Sequence, residues 1–110
     1  MKKIVLLIVF MISIMFFLAV AGNQNSTNII KVTTLIENTC ISDIDGLTSE
    51  HGVSMHIKFV DTNILFDTGG SDNFIKNAIK LGINISDVDI LVISHAHRDH
   101  GGGLSHFLKE

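Results

Sequence analysis

The apolar and polar positions of this chain change period several times, and each change predicts a new element. Residues 29–37 are rich in β-branched side chains, which favour an extended backbone, so they predict a strand. Residues 52–60 alternate between apolar and polar side chains, which predicts a strand with one face in the core. Residues 64–66 follow after a short polar connection, so the two runs predict a hairpin. The expected core face of the longer run carries Val53, Met55, Ile57 and Phe59.

Residues 67–82 have the period of a helix. Ser71 is expected to cap its N-terminus, and Gly82 is expected to end it. This is the most clearly defined helix that the sequence predicts. Its expected apolar face carries Phe74, Ile75, Ala78 and Ile79.

Residues 89–94 form a nearly continuous apolar run, which is typical of a central strand that is covered on both faces. Residues 103–110 begin a further helix. Three strands followed by a helix and a fourth strand predict an α/β (α+β) fold, in which a mixed sheet carries at least one helical layer. The strand at 89–94 would end where open α/β sheets place their functional sites.

The first residues differ from the rest of the chain. Two lysines precede residues 4–21, which are almost entirely apolar and end in a small-x-small pattern at 19–21. These features predict a signal peptide or an N-terminal anchor over 1–21 and one domain over 22–110. The protein is therefore expected to be exported, to the periplasm or the extracellular space, or to be held at a membrane by residues 4–21.

The charge of the expected mature chain limits its partners. Removal of Lys2 and Lys3 leaves six basic against eleven acidic residues, a formal charge of −5. Nucleic acids and anionic membrane surfaces require clustered basic side chains, so neither is an expected partner, and membrane contact is expected only through the N-terminal segment. Cys40 is the single cysteine, so the chain has no internal disulfide.

Residues 94–103, SHAHRDHGGG, gather three of the six histidines around one aspartate. His95 and His97 are two positions apart, so an extended backbone leaving a strand points both to the same side. Asp99 and His100 follow, and a loop that curls back would bring them to a second position nearby. Imidazole and carboxylate are ligands of zinc and similar divalent ions, which can deliver hydroxide at neutral pH. The grouping therefore predicts a metal loop with room for two ions.

The motif H-x-H-x-D-H, followed here by Gly101 and Gly102, resembles the signature of the metallo-β-lactamase-fold metallo-hydrolases. ILFDTGG at 64–70 resembles the earlier Asp-Thr-Gly motif of that superfamily. The resemblance covers roughly residues 29 to 107. Three less specific stretches resemble a subgroup of the superfamily that is similar to dihydropterin-ribofuranosyl-aminobenzene-phosphate synthases. They are ENT at 37–39, EHGVSMHI at 50–57 and NAIKLGI at 77–83.

The resemblance implies a fold, an activity and a role for each matching residue. The fold would be the N-terminal half of an αβ/βα sandwich, and the activity would be metal-dependent hydrolysis of a small-molecule substrate. Two Zn²⁺ ions, or another divalent metal, would occupy a complete site. His95 and His97 would bind the first ion, and Asp99 and His100 the second. When the second ion is absent, Asp99 would instead handle protons.

Other residues are expected to support the site without binding metal. Asp67 matches the aspartate of the Asp-Thr-Gly motif, which lies beside the metal loop in the family. Gly101 and Gly102 would allow the backbone to turn and approach closely. Glu50 and His51 are candidates for the mouth of the site, whereas His56 and His106 are expected to be exposed on a strand and a helix.

The family's domain is about twice as long, and its second half contributes a further histidine for each metal and a bridging aspartate. Three hypotheses follow. The favoured one is that the sequence is the N-terminal fragment of an exported metallo-hydrolase. In the second, the chain self-associates or pairs with a separate C-terminal half. In the third, it is an inactive metal-binding or degenerate interaction module.

Overall fold

The computed structural model describes residues 28–39 and 46–110. The strands are β1 (Ile30–Ile36), β2 (Ser54–Phe59), β3 (Thr62–Phe66) and β4 (Ile90–Val92). The helices are α1 (Asn73–Lys80), α2 (Arg98–Gly101) and α3 (Leu104–Phe107), with a short 3-10 helix at Ile85–Asp87. The expected signal segment at 1–21 and Cys40 lie outside the described residues.

The four strands form one mixed sheet in the order β1-β2-β3-β4. The pairs β1–β2 and β2–β3 are antiparallel, so the predicted hairpin is confirmed. β3 and β4 are parallel, and α1 lies in the connection between them, as a parallel pair requires. The predicted mixed sheet with a helical layer is therefore confirmed.

The core lies between α1 and one face of the sheet. Phe74 and Ala78 of α1 are fully buried, as is Leu65 of β3. Gly82 ends the helix with φ +71, and the N–H of Ile83 donates to the carbonyl of Ala78 at 2.8 Å. The expectation that Ile79 is buried is wrong, because its side chain is 70% exposed. The buried apolar residues are Leu35, Ile36, Leu65, Phe74, Ala78 and Ile85.

The face predicted for the core in β2 is also wrong. Ser54 and His56 are buried, whereas Phe59 is 41% exposed. His56 pairs directly with Leu65, and directly paired residues share a face, so His56 lies on the side that α1 covers. The buried polar atoms are satisfied, since the Ser54 hydroxyl donates to the carbonyl of Asp67 at 2.9 Å and the His56 ring lies 3.2 Å from Asn63 Oδ1.

The opposite face of the sheet is apolar and open in the described part of the chain. Val32 pairs with Ile57, Ile57 with Ile64, and Ile64 with Ile90, so these four side chains form a row across all four strands. Val32 is 55% exposed and Ile90 is 48% exposed. The expectation of a central strand covered on both faces at 89–94 is wrong, because β4 is at an edge of the described sheet. Among the described residues, no helix has the length and apolar content needed to cross a bilayer.

Candidate metal centre

The parallel pairing of β3 and β4 creates the site. Phe66 pairs with Val92, so the two strands end at the same edge of the sheet. Asp67 follows the first strand directly, and Ser94 lies two residues beyond the second. The N–H of Asp67 donates to the carbonyl of Val92 at 2.8 Å, which fixes the two strand ends together. The side chains that follow the two strands are therefore neighbours.

Asp67 is the buried anchor of this edge. Its side chain is inaccessible to solvent, and its backbone has φ +58, a conformation that aspartate tolerates better than most residues. Oδ1 accepts the N–H of Ser94 at 2.7 Å, and Oδ2 accepts the Ser94 hydroxyl at 2.7 Å and lies 2.7 Å from His100 Nδ1. Burial by itself would raise the pKa of Asp67, but the hydrogen bonds from Ser94 and His100 outweigh it and hold the pKa below its ordinary value. Asp67 is therefore a carboxylate that only accepts hydrogen bonds.

This carboxylate fixes the proton positions on two histidines. Because Asp67 is an acceptor, Nδ1 of His100 carries a proton, so the neutral ring has its lone pair on Nε2. The single hydroxyl proton of Ser94 goes to Asp67, so Ser94 Oγ accepts from Nδ1 of His95 at 2.9 Å. These assignments follow from the hydrogen-bond pattern. They leave Nε2 of both rings free to bind a metal.

The ring of His95 contacts the rings of His97 and His100. The ring centroids of His95 and His97 are 4.6 Å apart, and those of His95 and His100 are 4.2 Å apart. Nε2 of His100 lies 3.5 Å from Oδ2 of Asp99. His95 and His97 are exposed, and Asp99 and His100 are partly buried. The structure thus brings the four ligand candidates together in pairs.

Close backbone packing holds this loop against the sheet. The N–H of Thr68 donates to the carbonyl of His100 at 2.8 Å. A Cβ at Gly102 would overlap the carbonyl oxygen of Arg98 and lie 2.7 Å from that of Gly70. Gly101 forms an isolated parallel bridge with Gly69. The missing side chain of Gly102 lets this segment lie directly on the turn that follows β3, whereas a Cβ at Gly101 would meet only the Ile93 side chain, at 3.6 Å.

Glu50 and His51 lie beside the loop but differ in their surroundings. The Glu50 carboxylate accepts the N–H of Gly70 at 2.8 Å, the Ser71 hydroxyl at 2.6 Å and the side-chain amide of Asn73 at 2.9 Å. Burial would raise the pKa of Glu50, but these donors lower it overall. The side chain of His51 is 83% exposed, with Nε2 3.4 Å from Oδ2 of Asp99. A cavity of about 450 Å³ opens here, lined by Glu50, His51, Gly70, Ser71, Arg98 and Asp99.

The atoms that these side chains offer are chemically suited to bind a divalent ion. Imidazole nitrogens with free lone pairs and a carboxylate are zinc-type ligands, and a carboxylate behind a ligand histidine is the usual support for it. As the side chains stand, no three histidine, cysteine, aspartate or glutamate side chains among residues 28–39 and 46–110 meet as a metal-holding group. The loop therefore brings pairs of ligands together, while full coordination requires a further side chain or a change of rotamer.

Sequence reasoning missed three residues that shape this site. Ser94 links Asp67 to His95 through hydrogen bonds of its hydroxyl group. Its position at the start of the histidine loop is the sequence feature that could have identified it. Thr68 holds the carbonyl of His100 through its N–H and, at 3.2 Å, through its hydroxyl. Gly52 packs so closely on the carbonyl of Asp99 that a Cβ there would overlap it. The last contact has no sequence signal, because it joins segments far apart in the chain.

Comparison with known proteins finds relatives that match most of this chain. A protein of Methanocaldococcus jannaschii, 7,8-dihydropterin-6-methyl-4-(beta-D-ribofuranosyl)-aminobenzene-5'-phosphate synthase, is 37% identical over 93 residues, which cover 76% of this chain and 31% of that protein. An uncharacterized protein of the same organism is 28% identical over 78 residues, covering 71% of this chain and 29% of that protein. The chain thus spans about a third of the length of these curated relatives.

A solved structure has the same fold over most of the chain. It is a crystal structure of a metal-dependent hydrolase of the beta-lactamase superfamily, 40% identical, with a TM-score of 0.57 over 71% of this chain and 27% of the other. Residues 50–110, which include the histidine loop and the Asp67 turn, match the sequence profile of the Metallo-beta-lactamase superfamily. The chain belongs to the metallo-beta-lactamase superfamily.

Proposed function

We propose that this chain supplies the metal loop of an exported, zinc-dependent hydrolase. The observation that carries the proposal is the Asp67–His100 contact, which fixes a proton on Nδ1 and leaves Nε2 free beside Asp99. A bound divalent ion would activate water and polarise the bond to be cleaved. His95 and His97 would hold one ion, and Asp99 and His100 the other. Export rests on the sequence of residues 1–21 alone.

The residues of the chain have separate tasks in this proposal. Asp67 orients His100 and keeps its proton away from the ligand nitrogen. Asp99 is 28% exposed, so a carboxylate oxygen that does not bind metal can exchange a proton with the substrate. The neighbouring cavity of about 450 Å³ is within the size range of small-molecule sites, and a small-molecule substrate would enter there.

The test combines zinc content with hydrolysis. The full chain is assayed against phosphoester, lactone and thioester probes, with His97→Ala as the variant and His106→Ala, outside the loop, as the control. Zinc-dependent turnover that falls by at least about tenfold in His97→Ala, and not in the control, supports the proposal. Turnover that survives removal of the metal, or equal rates in the two variants, contradicts it.

A second candidate is a metal-binding module without hydrolytic activity, or a half-domain completed by another chain. In the described part of the chain, no three potential metal-binding side chains meet at one point, which favours the inactive module. The apolar face of the sheet is open to solvent, which favours the half-domain. Zinc binding without turnover, combined with a monomeric mass, supports the module. Turnover that appears only in a dimer or on addition of a second chain supports the half-domain.

A further inference from the structure

Arg98 is the only arginine of the chain, and it lies between two candidate metal ligands. His97 is the N-cap of α2, and Arg98 and Asp99 are the first two residues of that helix. Arg98 lines the cavity of about 450 Å³ beside the histidine loop, as Asp99 does. A small molecule in this cavity would therefore meet Arg98 next to a candidate metal ligand.

The guanidinium group of Arg98 is available to a ligand. It has no hydrogen bond or ion pair with any residue in the described ranges 28–39 and 46–110. The residue is exposed to solvent. Arginine stays charged at every physiological pH and presents five N–H donors in a fixed fork. The structure therefore places an unpaired cation at the edge of the cavity.

The two carboxylates that line the same cavity already have other partners. Glu50 accepts hydrogen bonds between 2.6 and 2.9 Å long from the turn after β3 and from the first residue of α1. Oδ2 of Asp99 lies 3.4 Å from Nε2 of His51 and 3.5 Å from Nε2 of His100. Neither carboxylate forms an ion pair with Arg98, so the positive charge of Arg98 is not neutralised within the cavity lining.

The backbone of Arg98 is held in place, although its side chain is exposed. The carbonyl of Arg98 accepts the N–H of Gly102 at 2.7 Å. The same oxygen lies 3.9 Å from the position that a Cβ of Gly70 would take, so this residue packs on the turn after β3. When a ligand binds, only the side chain of Arg98 has to be ordered, which keeps the entropic cost of binding small.

We propose that Arg98 binds an oxyanion, a carboxylate or a phosphate group, on the molecule that occupies this cavity. In the proposed hydrolase, this group belongs to the substrate and is separate from the bond that is cleaved, so this part of the inference rests on the proposed function. A guanidinium binds carboxylate and phosphate through two parallel N–H···O bonds, which recognise shape as well as charge. The chain has a formal charge of −3, so an anionic substrate requires a local cation to offset the repulsion. Arg98 therefore selects small anionic substrates over neutral ones.

The first experiment uses the metal-free, ¹⁵N-labelled full chain, so its result does not depend on zinc. Because Arg98 is the only arginine, its Nε–Hε resonance is assigned without further variants. At constant ionic strength, we expect benzoate or phenyl phosphate to shift this resonance saturably, whereas the neutral benzamide leaves it in place. The anion that binds more tightly identifies the recognised group as carboxylate or phosphate.

The second experiment measures substrate selection by the zinc-loaded wild type, Arg98→Gln and Lys109→Gln. It uses two probes of the class that the wild type hydrolyses fastest, phosphoester, lactone or thioester, which differ only in an added carboxylate. The ratio of kcat/KM for the charged to the neutral probe should fall by at least about tenfold in Arg98→Gln, the usual effect of losing a hydrogen bond to a charged group. Lys109→Gln removes the same charge from an exposed residue outside the cavity lining and should keep the wild-type ratio.

The outcomes separate this inference from the proposed function. An unshifted Arg98 resonance, or equal ratios in Arg98→Gln and Lys109→Gln, overturns the inference and leaves the proposed function intact. Failure of the wild type to hydrolyse any of the probe classes contradicts the proposed function. The Arg98 resonance then decides by itself, and a saturable shift still supports an oxyanion site. Because Arg98 is exposed, the glutamine variant is expected to fold, and circular dichroism checks this.

Discussion

Nδ1 of His100 lies 2.7 Å from Oδ2 of Asp67, although the two residues are 33 positions apart in the chain. The contact joins the turn after β3 to α2, which lies within the histidine loop. It sets the proton on His100, and through Ser94 it also sets the proton on His95. One buried carboxylate therefore orients the rings of two candidate ligand histidines, and its removal should be detected as a change in metal binding.

Asp67→Asn should weaken zinc binding by about 10–100-fold, the usual effect of losing a partner behind a ligand histidine. Asparagine accepts the positive φ at this position but replaces one acceptor oxygen with a donor, so His100 loses its fixed orientation. Isothermal titration with zinc measures the effect. Asp72→Asn removes the same charge from a partly exposed side chain and should leave the affinity unchanged. Equal affinities in the two variants would show that Asp67 has no such role.

Gly52→Ala should destabilise the chain more than Gly82→Ala. Gly82 has φ +71, in the left-handed helical region, where an alanine costs about 1–2 kcal/mol in backbone strain, whereas Gly52 has φ +137, farther from any conformation that alanine favours. At Gly82 no atom lies within 4 Å of the added Cβ, whereas at Gly52 the Cβ overlaps the carbonyl of Asp99. Urea unfolding of the two variants measures the combined cost of that overlap and of the less favourable φ at Gly52. Similar losses of stability would mean that the segment is not packed against the loop.

Glu50→Gln should lower the free energy of unfolding at neutral pH. It should also make that free energy depend less on pH in the acidic range. The pKa of Glu50 is lower in the folded chain than its ordinary value of 4.5, so the unfolded chain binds more protons between the two values. Stability from Glu50 is therefore fully present above about 4.5 and is lost as pH falls through the lowered pKa. Urea midpoints from pH 7 to pH 3 measure the slope. Asp72→Asn, in which an exposed ion pair with Lys76 is removed, should change the slope less.

Phe74→Ala should cost about 3–5 kcal/mol of unfolding free energy, because the ring is fully buried between α1 and the sheet. Ile79→Ala on the same helix should change stability by less than about 0.5 kcal/mol, since its side chain is 70% exposed. Thermal or urea unfolding compares the two. A large loss in Ile79→Ala would indicate that a partner covers this side of α1.

The sequence predicted the elements of the described chain well, because their local signals are strong. The hairpin, the helix over Asn73–Lys80 with its glycine end, and the strand before the histidines are all present. The face of β2 was wrong, because alternation gives two faces without saying which one a helix covers. α1 covers the side that carries His56, and Ser54 and His56 remain buried because Asp67 and Asn63 satisfy them.

By itself the sequence determined the identity and spacing of the candidate ligands, because His95, His97, Asp99 and His100 are close in the chain. It also determined the superfamily, since the motif is local. Only the tertiary structure decided that Asp67 and Ser94 fix the ring protons and that His51 faces Asp99. These relationships depend on parallel strand pairing and on the close packing of glycine against backbone, and both bring together residues that are distant in sequence.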